Sequence, residues 1–126
     1  MSTPKPTDGE LSLLRILWSR GPSTVKDLHR ILQEGRELPY TTVLSALQSM
    51  TEKGLVVRDA STRQHVYTAA VAESQARAVL VDDLVDKAFR GSAMELMVHA
   101  VEQGQVSAED LDQLRALIAA KKGGRP

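Results

Sequence analysis

The segment Tyr40-Thr-Thr-Val-Leu-Ser-Ala-Leu-Gln-Ser-Met-Thr-Glu-Lys-Gly54-Leu55 repeats its apolar residues with the period of an α-helix. At about 100° per residue from Thr41, the apolar Val43, Leu44, Ala46, Leu47 and Met50 fall in an arc of roughly 140° to 300°. Thr41, Thr42, Ser45, Gln48, Ser49 and Glu52 fall between roughly −20° and 100°. The two arcs do not overlap, so one face is built for a core and the other for solvent or a polar ligand. Pro39 suits the first turn, where a missing N–H is harmless, and Gly54 suits the left-handed end. Hydroxyls and amides of this kind bond base edges in the major groove, and threonine methyls meet the thymine methyl. A solvated surface helix has the same composition, so this face alone leaves both readings open. Paired β-branched threonines are mediocre helix formers, which favours a task beyond helix formation. Lys53 is the only Lys or Arg of the helix. With Tyr40 at its start, the candidate DNA-binding set on this helix is Tyr40, Thr41, Thr42, Ser45, Gln48, Ser49 and Lys53.

Upstream, Thr7-Asp-Gly-Glu10 is a capping box that opens a first helix through Leu11, Leu14, Leu17 and Trp18, ending near Ser19 at Arg20-Gly-Pro22. Ser23 is the expected N-cap of a second helix, with Val25, Leu28, Ile31 and Leu32 on one stripe and Gly35 as its stop. Downstream, Leu55–Arg58 and His65–Thr68 read as strands joined by the polar turn Asp59-Ala-Ser-Thr-Arg-Gln64. A hairpin after a helix-turn-helix is a wing. Its tip adds Arg63 and Gln64 as candidate DNA contacts, Arg63 being suited to a phosphate or the minor groove.

From Ala72 the pattern is helical again. Val79, Leu80, Leu84, Val85, Ala88 and Phe89 line a long fourth helix closed by Gly91. Ser92-x-x-Glu95 opens a fifth through Met94, Met97, Val98 and Val101, and Ser107-x-x-Asp110 opens a sixth with Leu111, Leu114, Leu117 and Ile118. Three helices make a poor core by themselves, so their apolar faces call for a partner subunit. The expected seam comprises Leu80, Leu84, Phe89, Met97, Leu111, Leu114, Leu117 and Ile118.

The fold class expected is mainly α (α+β): a winged helix-turn-helix with one β-hairpin wing, followed by a three-helix dimerisation region. The boundaries are a disordered arm over 1–6, the winged-helix domain over 7–70, the helical dimerisation domain over 71–120 and a frayed tail over 121–126. The whole chain has 126 residues, about one domain with a helical appendage. Its 42% hydrophobic content allows a packed core, and with 3% aromatics that core is aliphatic. Net charge is zero, and residues 1–70 hold nine Lys/Arg against seven Asp/Glu, so charge alone does not suggest nucleic acid. No window reaches the ~20 apolar residues that cross a bilayer. With no signal-peptide pattern at Met1-Ser-Thr-Pro, the expected location is the cytoplasm, without membrane insertion.

Residues suited to catalysis or metal binding are scarce. There is no cysteine, hence no disulfide, thiolate metal site or Cys nucleophile. His29, His65 and His99 have no metal-ligand spacing, and the stripe of Glu95, His99 and Glu102 reads as a solvated face. Asp82-Asp83-x-x-Asp86 reads likewise. No phosphate loop or nucleophile–base arrangement can be argued, so no enzyme, cofactor or metal is expected.

Five stretches, Glu10-Leu-Ser-Leu-Leu-Arg-Ile-Leu-Trp18, Thr24-Val-x-x-Leu28, Leu38-Pro-Tyr-Thr-Thr-Val43, Glu52-Lys-Gly-Leu-Val-Val-Arg58 and His65-Val-Tyr67, resemble the penicillinase-repressor (BlaI/MecI-type) winged-helix regulators. The likeness runs from about Thr7 to Ile118. It implies a homodimer with wings on DNA and intertwined C-terminal helices, repressing transcription from a palindromic operator. It implies that Thr41, Thr42, Ser45 and Gln48 enter the major groove, with Arg63 on the wing. Three departures stand out. Ser49 replaces a residue that is often basic, Ala100-Val101 stands where relatives carry an Asn-Phe cleavage site, and the cysteine cluster of the copper-responsive branch is absent. Any upstream sensor or protease, and the inducing signal, stay unassigned. The competing readings are a winged helix used for protein–protein contact and a small-molecule-sensing regulator with a ligand pocket.

Overall fold

The computed structural model describes residues 3–123. Its elements run α1 (Asp8–Arg20), β1 (Ser23–Thr24), α2 (Val25–Leu32), α3 (Tyr40–Lys53), β2 (Val56–Asp59), β3 (Val66–Ala69), α4 (Glu73–Ala88), α5 (Ala93–Glu102) and α6 (Ala108–Gly123). The architecture is mainly helical with one small antiparallel sheet, the winged-helix arrangement expected.

Local chemistry sets the boundaries. At α1 the Glu10 N–H donates to the Thr7 hydroxyl at 3.2 Å, and the Thr7 N–H donates to Glu10 Oε1 at 2.9 Å, a complete capping box. At α2 the cap is Thr24 rather than Ser23: the Asp27 N–H donates to Thr24 Oγ1 at 3.1 Å and the Thr24 N–H to Asp27 Oδ2 at 3.4 Å. Ser23 is buried instead, its hydroxyl donating to the Gly21 carbonyl at 2.9 Å. The reason is a strand with no signal of its own in the sequence. Ser23 and Thr24 pair with Tyr67 and Val66, so the sheet has three strands in the order β1-β3-β2 rather than a lone hairpin.

α3 ends at Gly54, which takes φ +86°, with the Gly54 N–H bonded to Thr51 and the Leu55 N–H bonded back to Met50 at 2.9 Å. Leu55 therefore finishes the helix, and β2 starts at Val56, one residue later than expected. β3 shifts by one residue as well, pairing Val56 with Ala69 and Arg58 with Tyr67.

One apolar cluster joins Leu13, Leu14 and Leu17 of α1, Val25 and Leu28 of α2, Val43, Leu47 and Met50 of α3, and Leu55, Val56 and Tyr67. Each such side chain contributes about 1.5–3 kcal/mol on burial, and the cluster fixes which way α3 faces. Thr51 sits within the apolar arc of α3. Its hydroxyl is accommodated there by donating to the Leu47 carbonyl at 2.7 Å. Residues 3–6 do not stand free as an arm: Pro6 is buried, and Thr3 and Pro4 are half-buried. Met1 and Ser2 of that arm lie outside the described residues.

Packing divides the chain after Asp82, within α4. Phe89, expected inside α4, lies just past its end, followed by Arg90 and Gly91 at φ 51° and 81°. The Ser92 hydroxyl accepts the Glu95 N–H at 3.1 Å to start α5. Ser107 and Asp110 exchange bonds of 3.0 and 3.1 Å to start α6. Neither α5 nor α6 has a buried residue. α6 continues through Gly123, so 121–123 are helical, while the rest of the expected tail, 124–126, lies outside the described residues.

Candidate nucleic-acid interface

Because Val43, Leu47 and Met50 are buried, the opposite arc of α3 faces outward: Thr41, Thr42, Ser45 and Gln48 are exposed and Ser49 is half-buried. Tyr40 is 46% exposed, and its ring meets His29 edge-on at 5.5 Å and 76°. His29 Nε2 lies 2.6 Å from the Leu38 carbonyl oxygen, so one imidazole braces both the turn before α3 and its first residue.

The wing tip is shaped by its own side chains. Asp59 Oδ1 accepts the Ser61 N–H at 2.9 Å, and the Thr62 hydroxyl donates to the Gln64 carbonyl at 2.7 Å. The bonds from Ser61 hold the Asp59 carboxyl below the usual aspartate range. Arg63 and Gln64 project from this ordered loop, both exposed.

Two clefts flank the polar face of α3. One, of about 500 Å³, is lined by Thr24, Val25, Lys26, Tyr40, Leu44, Arg63, Gln64, His65 and Tyr67. The other, of about 710 Å³, includes Arg36, Thr41, Thr42, Ser45 and Ser49 in its lining. The structure thus brings Tyr40 together with the wing residues Arg63 and Gln64. It also adds Lys26 and Arg36, which no sequence signal marks because they lie on other elements. Among the described residues, Lys26, Arg36 and Arg63 form no ion pair. By contrast, Arg20 and Arg30 both engage Asp27, at 3.3 and 3.6 Å. With the Thr24 backbone and hydroxyl as the larger causes, these arginines keep the Asp27 carboxyl below its usual range.

Lys53 behaves differently from the rest of its set. Its ammonium is 2.9 Å from both carboxylate oxygens of Glu10, a residue only 5% exposed. Burial alone would raise the Glu10 carboxyl, but the Thr7 N–H and the Lys53 bond and charge outweigh it and hold the carboxyl below the usual glutamate range. The Lys53 charge is therefore compensated by a buried carboxylate of the same domain, while the lysine side chain stays 38% exposed.

In the C-terminal part, Leu84, Met97, Leu111, Leu114, Leu117 and Ile118 are all exposed by 40% or more. Leu80 and Phe89 are half-buried, the Phe89 ring lying 5.8 Å from that of His99. Met94, Met97, Val98, Val101 and the α6 leucines border an apolar groove of about 990 Å³. Among the described residues no three His, Asp or Glu side chains gather in a way that would hold a metal, and no helix is long and apolar enough to cross a membrane.

Set beside known proteins, residues 6–120 match the profile of the family described as Penicillinase repressor. The chain belongs to the penicillinase-repressor family. It is a transcriptional regulator of that family and not an enzyme. The transcriptional regulator BlaI of Mycobacterium tuberculosis is 36% identical, the match covering 94% of this chain and 88% of that protein. Among solved structures, the DNA-binding domain of the repressor BlaI superposes with a TM-score of 0.52 at 22% identity, covering 60% of this chain and 93% of that one. Bacillus licheniformis BlaI, solved as a monomeric form in complex with the blaP half-operator, gives 0.51 at 22% identity over 59% of this chain and 90% of that one. These likenesses establish the winged-helix fold of the N-terminal part.

Proposed function

We propose that the protein is a homodimeric transcriptional repressor that reads a palindromic operator through α3 and its wing. The observation that carries this is the two-sided character of α3. A buried stripe fixes it to the domain, Thr41, Thr42, Ser45 and Gln48 stand exposed on the other side, and ion-pair-free cations flank them. In this reading the four polar side chains contact base edges, while Lys26, Arg36 and Arg63 contact phosphates on either side. Ser49, half-buried, borders the same face, and Gln64 and Tyr40 sit at the wing side. The BlaI structure solved with a half-operator supports this use of the fold.

The dimer rests on α5 and α6. Helices without any buried residue, carrying exposed Met97, Leu111, Leu114, Leu117 and Ile118, bury that surface only against another chain, and a second copy is the simplest occupant. Twofold symmetry matches a palindrome and places two copies of α3 on one face of the duplex. Three flanking cations per subunit make few phosphate contacts, so one subunit alone binds weakly and affinity comes from the pair.

The test is a titration of the protein into duplexes that it selects itself from a random-sequence library, against scrambled duplexes, at several salt concentrations. The reading requires selective binding that weakens steeply with salt. Equal binding to both duplexes, or none, would refute it.

A further inference from the structure

The Glu10–Lys53 pair joins the first turn of α1 to the last turn of α3, two elements 43 residues apart in the chain. Glu10 lies at the positive end of α1 and Lys53 at the negative end of α3, so each charge also complements its own helix. Both helices also feed the apolar core, through Leu13, Leu14 and Leu17 on α1 and Val43, Leu47 and Met50 on α3. Apolar contact is non-directional, whereas a carboxylate bonded to one ammonium through both oxygens, and to the Thr7 N–H besides, fixes a direction. Lys53 is also the only Lys or Arg on α3. A DNA-reading helix whose single cation is neutralised from within uses that cation for something other than phosphate.

We infer that Glu10 is a positioning residue for operator reading, its ion pair with Lys53 setting how α3 is presented, and that Lys53 is not a phosphate contact. This rests on the DNA-reading role proposed above. The geometry gives it leverage. Thr42 lies eleven residues from Lys53, roughly 16 Å along the helix at 1.5 Å per residue. A tilt of about 5° at the Lys53 end moves Thr42 by more than about 1 Å, beyond the ~0.5 Å to which a recognition group must be held.

The decisive variants are Glu10→Gln and Lys53→Met, with Lys53→Arg as the conservative control. They are measured on the full chain, at a temperature where circular dichroism shows each folded, against a duplex selected by the wild type and a scrambled one. On charge alone, Glu10→Gln should tighten both complexes and Lys53→Met should weaken both alike. A positioning role predicts instead that both variants lose roughly 3- to 30-fold in affinity for the selected duplex only. The scrambled duplex is then bound no less tightly, and Lys53→Arg restores selectivity. Lys53→Met should also leave the salt slope unchanged, where removal of a phosphate contact would reduce it by about 0.9. Hydrogen exchange supplies a second readout, because the last-turn amides of α3 should exchange faster in Glu10→Gln than those of α2. A slope reduced by one contact, or selectivity unchanged in both variants, would overturn the inference while leaving the repressor reading intact. A wild type without selectivity would remove both.

Discussion

The Trp18 indole N–H donates to the Val71 carbonyl at 2.9 Å, tying α1 to the chain that enters α4 across a separation of 53 residues. It is the sole tryptophan, and only indole among apolar side chains of that size carries a donor there. Trp18→Phe keeps most of the packing but leaves the carbonyl without this partner. It should cost about 0.5–1.5 kcal/mol, read as a lower midpoint in urea by circular dichroism. An unchanged midpoint would mean that the bond contributes nothing to stability.

Acid should act on the DNA-binding part through Glu10. Its carboxyl is pulled below its unfolded value against the effect of burial, by Thr7 and Lys53. The ion pair therefore contributes its full stabilisation above the ordinary glutamate pKa of about 4.3 and loses it as pH falls through the lower folded value. Glu10→Gln should destabilise by about 1–3 kcal/mol at neutral pH. Lys53 is 38% exposed, which keeps the cost below that of a fully buried pair. The gap between wild type and variant should narrow as pH falls below the ordinary glutamate value of about 4.3 and close only below the lower folded value. A gap independent of pH would rule out the charge as its source.

Base-reading and phosphate-contacting residues should separate in selectivity and salt dependence. Thr42→Ala or Gln48→Ala should reduce discrimination between duplexes, by about 1–3 kcal/mol for each good bidentate base pairing removed, with little change in stability. Lys26→Met and Arg63→Met should weaken all duplexes alike and lower the salt slope by about 0.9 each. Unchanged preference in both polar variants would sink the reading role assigned to α3.

Charge in the C-terminal apolar face should oppose association. Leu114→Asp or Leu117→Asp removes a leucine worth about 1.5–3 kcal/mol when buried, twice per dimer. Sedimentation should show a larger monomer fraction and, with it, weaker binding to a full palindrome than the wild type shows. Wild-type association in both variants would place the seam elsewhere.

The elements legible in the sequence are those announced by local chemistry. Thr7 with Glu10 and the glycine at 54 act within a turn of themselves, so the ends of α1 and α3 can be read directly. β1 cannot, because two polar residues carry no period and become a strand only when Val66 and Tyr67 arrive beside them. The same pairing displaces the cap of α2 from Ser23 to Thr24. Lys53 has the sequence signature of a DNA contact because the carboxylate that engages it lies 43 residues away. Lys26 and Arg36 escape notice for the complementary reason: nothing in their own neighbourhoods distinguishes them, and only the fold sets them beside α3.

The sparse charge of the α3 face bears on how such a protein travels. Arbitrary duplex retains a protein chiefly through its cations, and the exposed face of α3 is mostly hydroxyl and amide. Residence on any non-target stretch should be brief, sliding short, and transfer between distant segments frequent. A chromosome offers roughly 10⁶ or more competing sites, and a weakly adhesive searcher loses fewer of its molecules to them. On the proposed dimeric reading, occupancy of the target depends more on the match of a few bases, and on pairing of subunits, than on how many copies the cell makes.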